Sequence, residues 1–63
     1  MMDFKGVACR RESEKAILVE IPELSGEFWI PQSQITADSE VWREGDLGTL
    51  TVTDWYAEQK GWI

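Results

Sequence analysis

Cys9 is the only cysteine among 63 residues, and the chain has no histidine. A domain of this length buries only about 60% of the surface its unfolded chain exposes. Small domains usually make up that deficit with disulfides, structural metals or partners. One cysteine cannot form an internal disulfide, and the Cys/His spacings of zinc sites cannot be written. What remains is aromatic mass: Phe4, Phe28, Trp29, Trp42, Trp55, Tyr56 and Trp62. Each such ring buries on the order of 150–250 Å² when packed. The core of a single domain, residues 1–63, therefore has to be organised around them.

The strongest periodicity lies in Lys15–Ile21. Ile17, Val19 and Ile21 fall on one face of a strand, and Ala16, Leu18 and Glu20 on the other. Phe4–Arg10 reads as an earlier strand, weakened by Gly6. Pro22 stops the second strand, and Pro22–Gly26 ends in Ser-Gly, which suits a hairpin. Glu27–Ile30 returns with Phe28 and Ile30 on one face and Trp29 on the other. Pro31 ends the ladder because it has no N–H, and it can open a short helical turn through Gln32–Ile35. Thr36–Asp46 reads as a polar, acidic loop anchored by Val41 and Trp42, with Gly45 and Gly48 bracketing a turn around Asp46 and Leu47. Thr49–Thr53 is a fourth strand with Leu50 and Val52 inward. Thr53 or Asp54 caps a helix over Trp55–Lys60. Lys60 suits its last turn, Gly61 its left-handed stop, and Trp62 and Ile63 fold back onto the core. The expected fold is α+β: a small antiparallel sheet of three to four strands, a short C-terminal helix and a second short helical turn. Trp55 and Phe28 are expected in its core, Cys9 as a small buried hydrophobe, and Trp29 as the exposed ring.

The net charge is −6. Met1–Lys15 carries Lys5, Arg10, Arg11 and Lys15 against Asp3, Glu12 and Glu14. From Ala16 onward, nine acids face only Arg43 and Lys60. A surface of that sign repels phosphate backbones, so direct nucleic-acid binding is not expected. It suits a protein partner with a basic surface, or solubility alone. No stretch approaches the roughly 20 apolar residues of a membrane span, and none reads as a signal peptide. One cysteine and no asparagine fit a reducing cytosol. A monomer is expected.

Enzyme chemistry has little support. No histidine is present to act as a base near neutral pH or to activate Cys9. A chain this short is not expected to form a cleft of several hundred Å³. No phosphate-cradling glycine pattern occurs, and no cofactor is expected. Asp38, Glu40, Glu44 and Asp46 match neither the positions nor the helix pair of a calcium-binding hand, so no metal is expected. The acids form two groups: Glu20, Glu23 and Glu27 around one hairpin, and Asp38, Glu40, Glu44 and Asp46 in the next connection. Alternate strand residues lie about 6.6 Å apart, broadly similar to the spacing of phosphates along a nucleic-acid strand. These carboxylates are candidates for imitating a phosphate track, and charge alone does not separate that role from a solvated face. With Trp29, whose ring could anchor a partner, they are the candidate partner-binding residues.

Trp29-Ile30-Pro31-Gln32-Ser33-Gln34-Ile35, Gly48–Val52 and Trp55–Gly61 resemble short open reading frames of bacteriophages and prophages. In size, charge and expected fold the chain is similar to anti-CRISPR proteins that act as DNA mimics. That resemblance implies a phage-encoded inhibitor of a host CRISPR–Cas interference complex of type I (Cascade), working in the bacterial cytoplasm. The alternative is a phage replication or recombination accessory module that binds protein through exposed tryptophan. The resemblance brings no catalytic residues with it.

Overall fold

The computed structural model describes residues 1–63. Strands β1 (Met2–Glu12), β2 (Ala16–Ile21), β3 (Gly26–Pro31) and β4 (Leu47–Val52) form one antiparallel sheet in the order β3-β2-β1-β4. Helix α1 spans Asp54–Gln59, and single 3₁₀ turns occupy Pro22–Leu24 and Gln32–Gln34.

The long central strand β1 serves two partners because it is bulged twice. Its first half pairs with β4, and the register slips between Phe4 and Val7. Gly6 supplies a φ of +68° there, a conformation that costs glycine little. The extra residue puts both Phe4 and Val7 on the core face. The second half pairs with β2 and slips between Cys9 and Arg11. Gly6, expected to weaken a shorter strand, is where the strand bends.

Alternation on β2 behaves as expected. Ile17, Val19 and Ile21 are fully buried and pack with Phe4, Val7, Cys9, Ile30, Leu50 and Val52. The covering layer on that face comes from α1, through Tyr56 and Ala57, and from Ile35 and Val41 of the long connection. That connection also closes the outer edge of β4. Thr36 N–H donates to the Thr51 carbonyl (2.9 Å), Glu40 N–H to that of Thr49 (2.8 Å) and Thr53 N–H to that of Gln34 (2.9 Å).

Several expectations are corrected. Trp55 is 60% exposed, because the phase of α1 turns Tyr56 and Ala57 inward. The tryptophan that packs against the core is the partly buried Trp62, which meets Phe4, Phe28 and Tyr56 edge to face at centroid distances of 5.3, 5.4 and 5.8 Å. Gly61 (φ +75°) reverses the chain so that Trp62 N–H reaches the Ala57 carbonyl at 2.8 Å, while Ile63 stays exposed. Of the two expected caps it is Thr53 that caps the helix, accepting from Tyr56 N–H at 3.2 Å. Lys60 is the C-cap rather than part of the last turn, and its Nζ lies 5.7 Å from the Tyr56 ring centroid. The turn expected at Gly45–Gly48 lies two residues earlier: Asp46 N–H closes onto the Arg43 carbonyl at 3.0 Å, and Leu47 already belongs to β4. In the β2–β3 connection Ser25 takes the left-handed conformation (φ +55°). Phe28 is half-buried at the margin of the core.

Candidate functional site

One face of the sheet carries the core; on the other, the side chains of β2 and β3 are exposed or half-buried, whereas at the β4 end Thr51 is buried. Alternation fixes which side chains lie there. On β2 they are Ala16, Leu18 and Glu20, and on β3 their cross-strand partners Pro31, Trp29 and Glu27. Trp29 is 49% exposed and sits directly opposite Leu18. On β1, Arg11 pairs with Leu18, and the bulge places Arg10 beside it. On β4, Leu47 pairs with Ala8 and is 73% exposed. The result is an apolar centre of Trp29 and Leu18 with charged groups at its margins.

The margins are ordered by charge. Glu20 and Glu27 stand directly opposite each other on β2 and β3, a like-charge pairing that is unfavourable by itself. Arg10 relieves it. Its Nε and Nη2 both donate to Glu20 Oε1. The hydrogen bonds to Glu20, then the charges of Glu20 and Glu27, hold the guanidinium proton more firmly than usual. Glu23, on the 3₁₀ turn after β2, accepts from Lys5 N–H at 3.4 Å. The structure therefore gathers Glu20, Glu27 and Trp29 on one surface with Glu23 at its end, but among cations. Of the three carboxylates, Glu20 is already paired.

The second acidic group is divided by its structural duties. Asp46 Oδ2 accepts from both Trp42 N–H and Arg43 N–H, each at 2.9 Å. Those two bonds hold its carboxyl below the usual carboxylate range. Glu40 Oε1 accepts from Thr49 N–H at 2.8 Å. Gly48 makes room for it: a Cβ there would stand 2.7 Å from the same oxygen. Glu40 and Asp46 thus close a loop and a strand edge in addition to presenting negative charge at the surface. Asp38 and Glu44 are exposed, and Glu44 N–H donates to Glu12 Oε1 at 3.3 Å.

A concavity of about 640 Å³ opens beside the β1–β2 hairpin tip, lined by Glu12, Ser13, Glu14, Gln32, Trp42, Arg43 and Asp46. Its volume exceeds what a chain of this length was expected to form. Its lining is polar apart from Trp42, unlike the mostly apolar walls of small-molecule sites. No three acidic or cysteine side chains converge in a way that could hold a metal ion. Cys9 is buried beneath the sheet, its Sγ–H donating to the Arg11 carbonyl at 3.2 Å.

Sequence reasoning missed Arg10 and Arg11 as members of the surface. No pattern in Cys9-Arg10-Arg11-Glu12 signals a bulge, and without it the two arginines would point to opposite faces. Leu18 was assigned to the correct face by alternation, but its pairing with Trp29 depends on the β2–β3 register. No helix is long and apolar enough to cross a membrane. No protein-family model, curated protein or solved structure matches the chain.

Proposed function

We propose that this chain is a non-catalytic inhibitor that binds a protein with a basic surface, using the sheet face away from the core as its contact. One observation carries the reading: Trp29 stands half-exposed on the β2–β3 part of the face away from the core, opposite Leu18 and beside the carboxylates Glu20 and Glu27. A large ring ringed by polar groups has the character of an interface hot spot. The −6 charge selects a cationic partner and speeds the encounter. The specific partner implied by the resemblance to anti-CRISPR proteins is a type I interference complex, whose nucleic-acid groove would receive the acidic rim in place of DNA. The site of action is then the cytoplasm of a bacterial host cell, and the chain acts as a monomer without cofactor or direct contact to nucleic acid.

The exposed ring also favours a second reading, an accessory module of phage replication or recombination that relies on Trp29 more than on charge. Titration of a purified type I interference complex against the protein separates the two. For the inhibitor, affinity falls steeply as salt rises, because exposed charges are screened. Changing Glu20, Glu23 and Glu27 together to lysine abolishes binding with the circular dichroism spectrum intact. The corresponding changes at Asp38 and Glu44 test the other acidic region. Binding that survives both sets of changes and is lost in Trp29→Ala overturns charge mimicry. Micromolar binding of the protein itself to DNA at physiological salt overturns it too.

A further inference from the structure

The two edges of the sheet are not equivalent. The outer edge of β4 is paired with the chain's own residues 34–40, and the outer edge of β3 is not. The groups β3 presents there follow from its ladder. Gln32 N–H donates to the Lys15 carbonyl at 2.8 Å, so Lys15 and Gln32 form a hydrogen-bonded pair. Alternation makes Ile17–Ile30, Val19–Phe28 and Ile21–Gly26 the other hydrogen-bonded pairs. The N–H and C=O of Glu27 and Trp29 then point away from β2. An independent contact agrees: the Trp29 carbonyl is met from outside the sheet by the Tyr56 hydroxyl, at 3.2 Å.

We infer that β3 is the docking edge, and that the partner contributes an extended basic segment that joins the sheet as a fifth strand. This rests on the binding role proposed above and supplies its mode. The edge offers Glu27 N–H, Glu27 C=O and Trp29 N–H to an incoming main chain, the groups that strand addition uses. The chemistry of the segment follows from its neighbours. On the uncovered side it lies beside Glu27 and the face of Trp29, which suit lysine or arginine. On the covered side it lies beside half-buried Phe28, which suits an aliphatic residue. The segment therefore alternates cationic and apolar residues. A second copy of this chain is the poorer occupant, since edge-to-edge pairing would bring Glu20, Glu23 and Glu27 of two molecules, each of charge −6, together. Tyr56 acts as a partial guard by occupying the carbonyl that a new strand would otherwise use.

The probe is a capped peptide of alternating lysine and valine long enough to span β3, titrated into ¹⁵N-labelled full-length protein. A peptide with proline at every valine is the control. Strand addition gives cross-strand contacts between peptide and β3 α-protons and slows exchange of the Glu27 and Trp29 amides. Glu27→Pro removes an edge N–H but no bond to β2, a placement edge strands tolerate. It weakens binding about tenfold or more, while Glu27→Gln, which keeps the N–H, weakens it less. Tyr56→Phe frees the Trp29 carbonyl and tightens binding, an arm that stands even if Glu27→Pro fails to fold. Shifts confined to the Trp29 and Leu18 side chains, indifferent to Glu27→Pro, overturn the edge and leave the face reading in place. No binding, binding of the proline control equal to that of the probe, or a protein dimer protected at Glu27 without peptide overturns the inference.

Discussion

The phenolic hydroxyl of Tyr56 donates to the main-chain carbonyl of Trp29 across 3.2 Å, tying the C-terminal helix to the strand whose outer edge is free. The ring beneath it is buried, and burial pushes the phenol pKa up. One residue thus covers the core through its ring and closes part of the sheet edge through its oxygen.

Tyr56→Phe keeps the ring and removes the hydrogen bond. An ordinary intramolecular hydrogen bond contributes about 1 kcal/mol net. In a domain of this size that corresponds to a fall in melting temperature of roughly 4–8 °C. Thermal unfolding followed by circular dichroism measures it. An unchanged midpoint would mean that water replaces the hydroxyl at no cost.

Trp62 and Trp55 separate sharply on substitution. Trp62 touches three other rings edge to face. Truncating a packed large aromatic costs about 3–5 kcal/mol, comparable to the whole stability of a small domain. Trp62 is only partly buried, so Trp62→Ala is expected near the lower end of that range, about 3 kcal/mol. Trp55 is 60% exposed, and Trp55→Ala should change stability by no more than about 0.5 kcal/mol. Urea titrations of both variants decide it, and equal midpoints would contradict the packing of the C-terminal turn.

Which rings are structural was the part of the fold least legible in the sequence. Strand alternation identified Ile17, Val19, Ile21, Leu50 and Val52 as core and Trp29 as exposed, because a strand's two faces are fixed by parity alone. A six-residue helix offers no comparable signal. Asp54–Gln59 is under two turns, so a rotation of one residue exchanges Trp55 for Tyr56 without disturbing any pattern. The two bulges in β1 were equally hidden, and with them the position of Arg10 over Glu20 and Glu27. The acids of the second connection were visible as charge. What could not be read was that the Asp46 and Glu40 carboxylates accept backbone N–H groups, since that depends on where the chain turns. Grouping by sequence proximity therefore gathers acids that share a connection without showing which of them also hold the backbone.

Asp46 gives a pH-dependent contribution of definite sign. Backbone donation from Trp42 and Arg43 lowers its pKa in the folded state relative to the unfolded chain. A depressed carboxyl stabilises fully above the unfolded value, about 3.9, and that contribution is lost as pH falls through the lower folded value. Asp46→Asn keeps an acceptor oxygen but cannot titrate. Its stability should therefore fall less steeply than the parent's between about pH 4 and pH 2. Urea midpoints measured across that range test the point; parallel curves would assign the acid sensitivity to other carboxylates.

Cys9 should be chemically silent in the folded protein. Its side chain is 3% exposed, and burial, aided by the charges of Asp46, Glu12 and Glu44, pushes the thiol pKa up from its ordinary 9.0. Both effects deplete the accessible thiolate, which is the reactive species. Alkylation by iodoacetamide at neutral pH then proceeds only through opening of the sheet. With a stability of even about 5 kcal/mol it is slowed by a factor of a thousand or more relative to unfolded chain. The same shift has a consequence at high pH. A raised thiol pKa contributes stability that is complete below the unfolded value and is lost as pH rises through the folded one. The parent should therefore lose stability more steeply than Cys9→Ala above about pH 9. Labelling in native buffer as fast as in urea would show that β1 opens independently of the rest of the sheet, which its central position between β2 and β4 argues against.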